Sequence, residues 1–169
     1  MKIDQYLYDE IRPALKQMDL WSLSAEKILI MIASHESSGL KHRKQIKGPA
    51  LSYFQIEPST FKDIWDRYLK ARKHYKSLVA QFLPADVEED DIDLLDELKK
   101  NDKFAIAVAR MKLFMIPETL PQVTDDQGLA EYAKKYWNTY KGKATPEKYL
   151  KDFKIHALDK LEEIPEGWS

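Results

Sequence analysis

The residues of this chain whose types and spacing could do chemistry lie between Ser34 and Trp65. Glu36 stands four residues after Ile32 and eight after Ile28. On a helix these positions share a face, so the carboxylate emerges at the edge of apolar packing. Partial burial disfavours the charged form and raises the pKa, which a general acid at neutral pH requires. A flexible basic loop follows, with Lys41, His42, Arg43, Lys44 and Lys47 read as solvated. Then Tyr53-Phe54-Gln55-Ile56 sets aromatic rings and an amide just ahead of a helix start at Pro58. Taken alone, a glutamate near a helix end is usually solvated or structural. Its neighbours have to carry any assignment.

The elements that must position these groups read as helices. Ile3, Tyr6, Leu7, Ile11, Ala14, Leu15 and Met18 recur at helical spacing, and Pro13 predicts a kink or a break among them. Ser22 or Ser24 caps the next helix, whose run Ile28 to Ala33 is apolar all round and predicts a central, buried rod ending near Ser37 and Gly39. Gly48-Pro49 is turn chemistry, with a small β-like turn expected near 40–55. Pro58 opens a helix through Phe61, Ile64, Trp65 and Tyr68 that could continue to Pro84. Asp102 is a candidate cap for the helix carrying Phe104, Ala107, Val108, Met111 and Met115. Leu129, Tyr132, Ala133, Tyr136 and Trp137 mark the inner side of another helix, and Thr145-Pro146 starts the last, with Tyr149, Leu150, Phe153 and Leu158 inward. The tail from Ile164 to Trp168 reads as irregular. No repeat, linker or strand alternation interrupts this pattern, so one all-α domain over residues 1–169 is expected.

Composition narrows the function. The 169 residues are 44% hydrophobic and 33% charged, enough for one domain with a real core. A net charge of −1 argues against nucleic acid as the main partner. The absence of cysteine excludes disulfides and thiolate metal sites. The acidic stretch Asp86 to Glu97 lacks the glycine and the ligand spacing of a calcium loop, and His35 and the other histidines show no metal spacing. No metal or cofactor is expected. The amino terminus reads as an amphipathic helix rather than a signal peptide, and no apolar run is long enough to span a bilayer.

Glu36-Ser37-Ser38-Gly39, followed by Tyr53-Phe54-Gln55-Ile56-Glu57-Pro58-Ser59-Thr60, resembles the signature of the soluble lytic transglycosylase and goose-type lysozyme group. In that family a Glu-Ser pair ends a buried helix. A Gly-Leu-Met-Gln-Ile type segment comes after a loop, trailed by Pro and Thr. The segment from Ala133 to Gly142 occupies the place of the family's Ala-Tyr-Asn-Ala-Gly-like marker. Gly48 to Trp65 is most similar to phage-encoded lysozyme-like domains. The resemblance covers roughly residues 24–145. Ser52 stands where the family has glycine, Phe54 where it has methionine, and Trp137 where it has the tyrosine that touches the acid. Tyr136 or Tyr140 is then the substitute for that contact.

What the resemblance implies is a two-lobed lysozyme-like helical domain that cleaves peptidoglycan. Glu36 would protonate the oxygen joining N-acetylmuramic acid to N-acetylglucosamine. Ser37, Tyr53, Phe54, Gln55 and Ile56 would line the sugar subsites, with Tyr136, Trp137 and Asn138 closing the far wall. The partner would be a glycan strand met by a monomer, after holin-type release or within a virion. Hydrolysis pairs the acid with a second carboxylate, whereas lytic transglycosylases use the substrate's own 6-hydroxyl. Asp63, Asp66 and Asp125 are candidates only by proximity in sequence. The competing expectation is a non-catalytic lysozyme-like module that binds glycan or builds a phage particle.

Overall fold

The computed structural model describes residues 1–138 and 142–169. Eight helices make up the architecture, and no strand or sheet occurs among the described residues. The first, α1 (3–17), passes from Ile3–Gln5 through a π-helical turn, Tyr6–Ile11, to Arg12–Gln17. Pro13 neither breaks nor ends it. The carbonyl of Asp9, which a residue with an amide N–H at position 13 would bond, instead accepts from Lys103 Nζ at 3.0 Å.

The central rod is α2, Leu23–Glu36. Ser22 caps it by accepting from the Ala25 amide, and every residue from Ala25 to Ser34 is buried. Two of those are charged. Glu26 accepts from Arg12 Nε (2.8 Å) and Nη2 (2.7 Å), Trp21 Nε1 (2.7 Å) and Trp168 Nε1 (3.0 Å). Lys27 donates to the carbonyls of Val123 (2.8 Å) and Trp168 (2.7 Å) and pairs with Asp126. A buried charge is tolerable only when ringed by partners in this way. The tail is irregular, as its composition suggests, yet Trp168 is wholly buried in this cluster.

Beyond Glu36 the chain turns through Ser38, Gly39 and Leu40, all at positive φ. Two isolated bridges, Lys44 to Leu51 and Leu51 to Ile56, make the small β-like turn. Then α3 (58–68) runs through Pro58–Lys62 and the π-helical turn Asp63–Tyr68. It does not continue to Pro84. The Arg72 side chain donates to the Tyr68 carbonyl at 2.8 Å and closes the helix, and α4, Lys73–Ala80, begins afresh. Helix α5 is Asp91–Lys100 and α6 is Asp102–Phe114. The cap of α6 is Asn101, not Asp102: its Oδ1 accepts from the Phe104 amide, while its Nδ2 donates to the Phe82 carbonyl. Asp102 is the first helical residue. Helix α7 (126–138) comprises Asp126–Ala133 and the π-helical Lys134–Asn138, and α8 (146–158) comprises Pro146–Phe153 and Lys154–Leu158. Asp125 and Thr145 are their caps.

Helix α2 packs most closely on α8 and also touches α1, α6 and α7. Helix α6, with its alanine centre, packs on α1, α3, α4 and α5. The two buried helices thus gather two groups of partners, and the loop after Glu36 joins those groups. No helix among the described residues is long and apolar enough to cross a membrane.

Candidate functional site

Glu36 is the last residue of α2, half-buried where the rod meets the surface. Its Oε1 accepts from Tyr149 Oη at 3.3 Å, on α8. Burial pushes the Glu36 pKa above the usual carboxylate range; His35, the Tyr149 hydroxyl and Lys112 pull the other way without cancelling it. Tyr149 is fully buried, and burial together with the neighbouring carboxylate holds its hydroxyl protonated. It therefore acts as a donor. Beside Glu36, His35 Nδ1 bonds Asp152 at 2.7 Å and its ring packs on Tyr149, centroids 4.3 Å apart. His35 thus braces the tyrosine from behind.

Lys112 enters from α6. Burial pushes its ammonium down to about 8, opposed by the negative charges of Glu36 and Glu57. Its Nζ lies 3.9 Å from the centre of the Trp137 ring, a cation–π contact that holds a desolvated charge in place. The Trp137 indole N–H donates to the Phe54 carbonyl at 3.3 Å.

A groove of about 350 Å³ opens at Glu36, lined by His42, Gln45, Ile46, Ala50, Gln55 and Glu57. Glu36 and Gln55, 19 positions apart in sequence, therefore meet at one site. Gln55 has φ 52°, a left-handed backbone for a residue with a side chain. Its Nε2 donates to the Ser52 carbonyl at 2.8 Å, so its amide is oriented before any ligand arrives. Ser52, where the resembling family has glycine, has φ 71°. The turn keeps a conformation that suits glycine, and the Ser52 hydroxyl compensates by accepting from the Phe54 amide at 3.1 Å.

The other expected site residues lie behind this groove. Ser37 is fully buried; its hydroxyl donates to the Ala33 carbonyl and accepts from the Leu40 amide, so it ends the helix and does not line the groove. Tyr53, Phe54 and Ile56 are core residues, with Tyr53 packed edge-on against Tyr6 at 5.2 Å. Apolar packing outweighs exposure for these side chains. Trp137 supports the loop from below, while Tyr136 packs on Tyr132 and Asn138 accepts from Lys134 Nζ at 2.7 Å. None of these three lines the groove. The glutamate's tyrosine partner is Tyr149, not Tyr136; Tyr140 lies outside the described residues. Arg43 is not a solvated charge: it grips Asp102 at 3.1 and 2.8 Å and stacks on Tyr53 at 4.5 Å. Asp63 pairs with Arg67, Asp125 caps α7, and neither these nor Asp66 reaches the groove.

Sequence spacing alone could not reveal Tyr149 or Lys112, which stand 113 and 76 positions from Glu36. Glu57 sat inside the quoted motif, and the only signal for it was its separation of two residues from Gln55. Among the described residues no group of three His, Asp or Glu side chains could hold a metal ion. No protein-family model, curated protein or solved structure matches the chain.

Proposed function

We propose that the chain cleaves the β-1,4 bond between N-acetylmuramic acid and N-acetylglucosamine in peptidoglycan, with Glu36 as general acid. One observation carries this reading: a half-buried carboxyl with a raised pKa, met by the Tyr149 hydroxyl, faces an open polar groove. A protonated carboxyl there can give its proton to a bridging oxygen. The carboxylate left behind finds the Tyr149 hydroxyl already within reach, which is how preorganised sites lower a barrier. Gln55 offers an oriented amide to sugar hydroxyl or acetamido groups, and the exposed Ile46 offers an apolar lip to a sugar face.

The family resemblance of the Glu-Ser and Tyr-Phe-Gln-Ile segments supports the choice of substrate, and the left-handed turn at Ser52 is consistent with it. The test is turbidity loss of isolated walls or permeabilised cells. Wild-type protein clears them, and Glu36→Gln lowers the rate by about 10²–10⁴-fold. Clearance by the variant at the wild-type rate removes Glu36 from the role. Wall binding without any released muropeptide points instead to a glycan-binding module.

A further inference from the structure

Peptidoglycan cleavage by Glu36 leaves open what attacks the sugar once its bond to the leaving oxygen weakens. The groove contains a second carboxylate. Glu57 lines it together with Glu36 and Gln55. Its backbone is fixed on both sides. Leu51 and Ile56 exchange amide–carbonyl bonds of 2.8 Å each just before it, and Pro58 holds the next residue at the start of α3. The Glu57 side chain makes no cap bond and no ion pair among the described residues, and it stands in water. One carboxyl of this groove is half-buried against α8 and the other is open to solvent. That division of environments suits one proton donor and one acceptor.

We propose that Glu57 is the general base of this site, taking a proton from the water that attacks the anomeric carbon, so that the chain hydrolyses its substrate and releases reducing ends. The inference rests on the reading of Glu36 as the acid. In this step the bond from the anomeric carbon to the bridging oxygen breaks, and the oxygen takes the Glu36 proton. A bond from the anomeric carbon to the water oxygen forms, and Glu57 takes the water's proton. Glu36 ends ionised and Glu57 neutral, and exchange with solvent resets both.

The experiment digests isolated walls in ¹⁸O-labelled water with wild type, Glu57→Gln, Glu57→Ala, Asp66→Asn and Glu36→Gln, and reads released muropeptides by mass spectrometry. Wild-type products carry a labelled reducing end. Glu57→Gln loses release by at least about 100-fold while wall binding and melting temperature hold, and Asp66→Asn, at an exposed carboxylate away from the groove, stays within about threefold of wild type. Added azide restores cleavage by Glu57→Ala, with a glycosyl azide as product. Anhydro ends alone from wild type, or reducing ends from Glu57→Gln at the wild-type rate, overturn the role of Glu57 and leave Glu36 as acid. No release from wild type, or full release from Glu36→Gln, overturns the reading of Glu36 itself.

Discussion

At the scale of single residues, the acid site combines burial with restraint. Glu36 has a raised pKa in the folded chain, so its contribution to stability is present at low pH and is lost as pH rises through the folded value. Glu36→Gln should therefore melt higher than wild type at neutral pH, with the gap closing below the ordinary carboxylate pKa. Thermal melts across pH 3–7 check this, and a constant gap would contradict it. Lys112 has the opposite sign. Its pKa is depressed to about 8, so its contribution is present above the ordinary lysine value and lost as pH falls towards 8. Denaturation of Lys112→Met and wild type at pH 7 and 10 should show the variant relatively more stable at the lower pH. Because the Lys112 ammonium lowers the Glu36 pKa, the same variant should move the alkaline limb of the pH–rate profile upward. Tyr149→Phe removes the hydroxyl that meets the carboxylate, and a hydrogen bond to a charged group of about 1.5–3 kcal/mol sets the loss at roughly 10–100-fold in kcat.

At the scale of elements, helix ends decide what the site can be. Asn101 closes α5 and opens α6, the helix that delivers Lys112, and also ties down Phe82. Asn101→Ala should cost about 1–2 kcal/mol in urea unfolding. Asn101→Asp should recover most of the cap and lose the Phe82 bond. The elements with a local signal were legible in sequence. The apolar run Ile28 to Ala33 marks α2, Ser22 or Ser24 offers its cap, of which Ser22 is the one used, and Thr145-Pro146 marks the start of α8. What stayed hidden depends on partners far along the chain. Arg72 ends α3 by reaching a carbonyl, which no glycine or proline marks. Pro13 sits inside α1 because Lys103 supplies the missing donor. The same holds at the site. Periodicity placed Glu36 at the edge of the rod and Tyr149 inward, yet nothing local says that they touch. The resemblance sets Tyr53 among the sugar-lining residues, yet its ring is in the core, because aromatic side chains suit grooves and cores equally.

At the scale of the whole molecule, α2 is fixed at both ends. Its carboxyl end carries Glu36, and its amino end holds Glu26 and Lys27 beneath Trp168. Trp168→Ala should cost about 3–5 kcal/mol, the range for truncating a large buried aromatic, and should leave the buried Glu26 carboxylate short of one donor, while Lys27 keeps the backbone carbonyl at 168. Trp168→Phe, which keeps one aromatic ring and loses the pyrrole ring with its N–H, should cost about 1–3 kcal/mol in the same urea titration. A loss for Trp168→Phe well below about 1 kcal/mol would contradict the role given to that donor. The loop between the helix groups has a different character. Ser38, Leu40, Lys47, Ser52 and Gln55 all hold a backbone that disfavours side chains by about 1–2 kcal/mol each. Laboratory selection for heat resistance would thus be drawn to this segment, where replacement by glycine relieves strain most directly. Under the proposed activity, survivors changed near Gln55 should tolerate hotter incubation and release muropeptides more slowly, because slack in that turn frees the Gln55 amide from its fixed orientation.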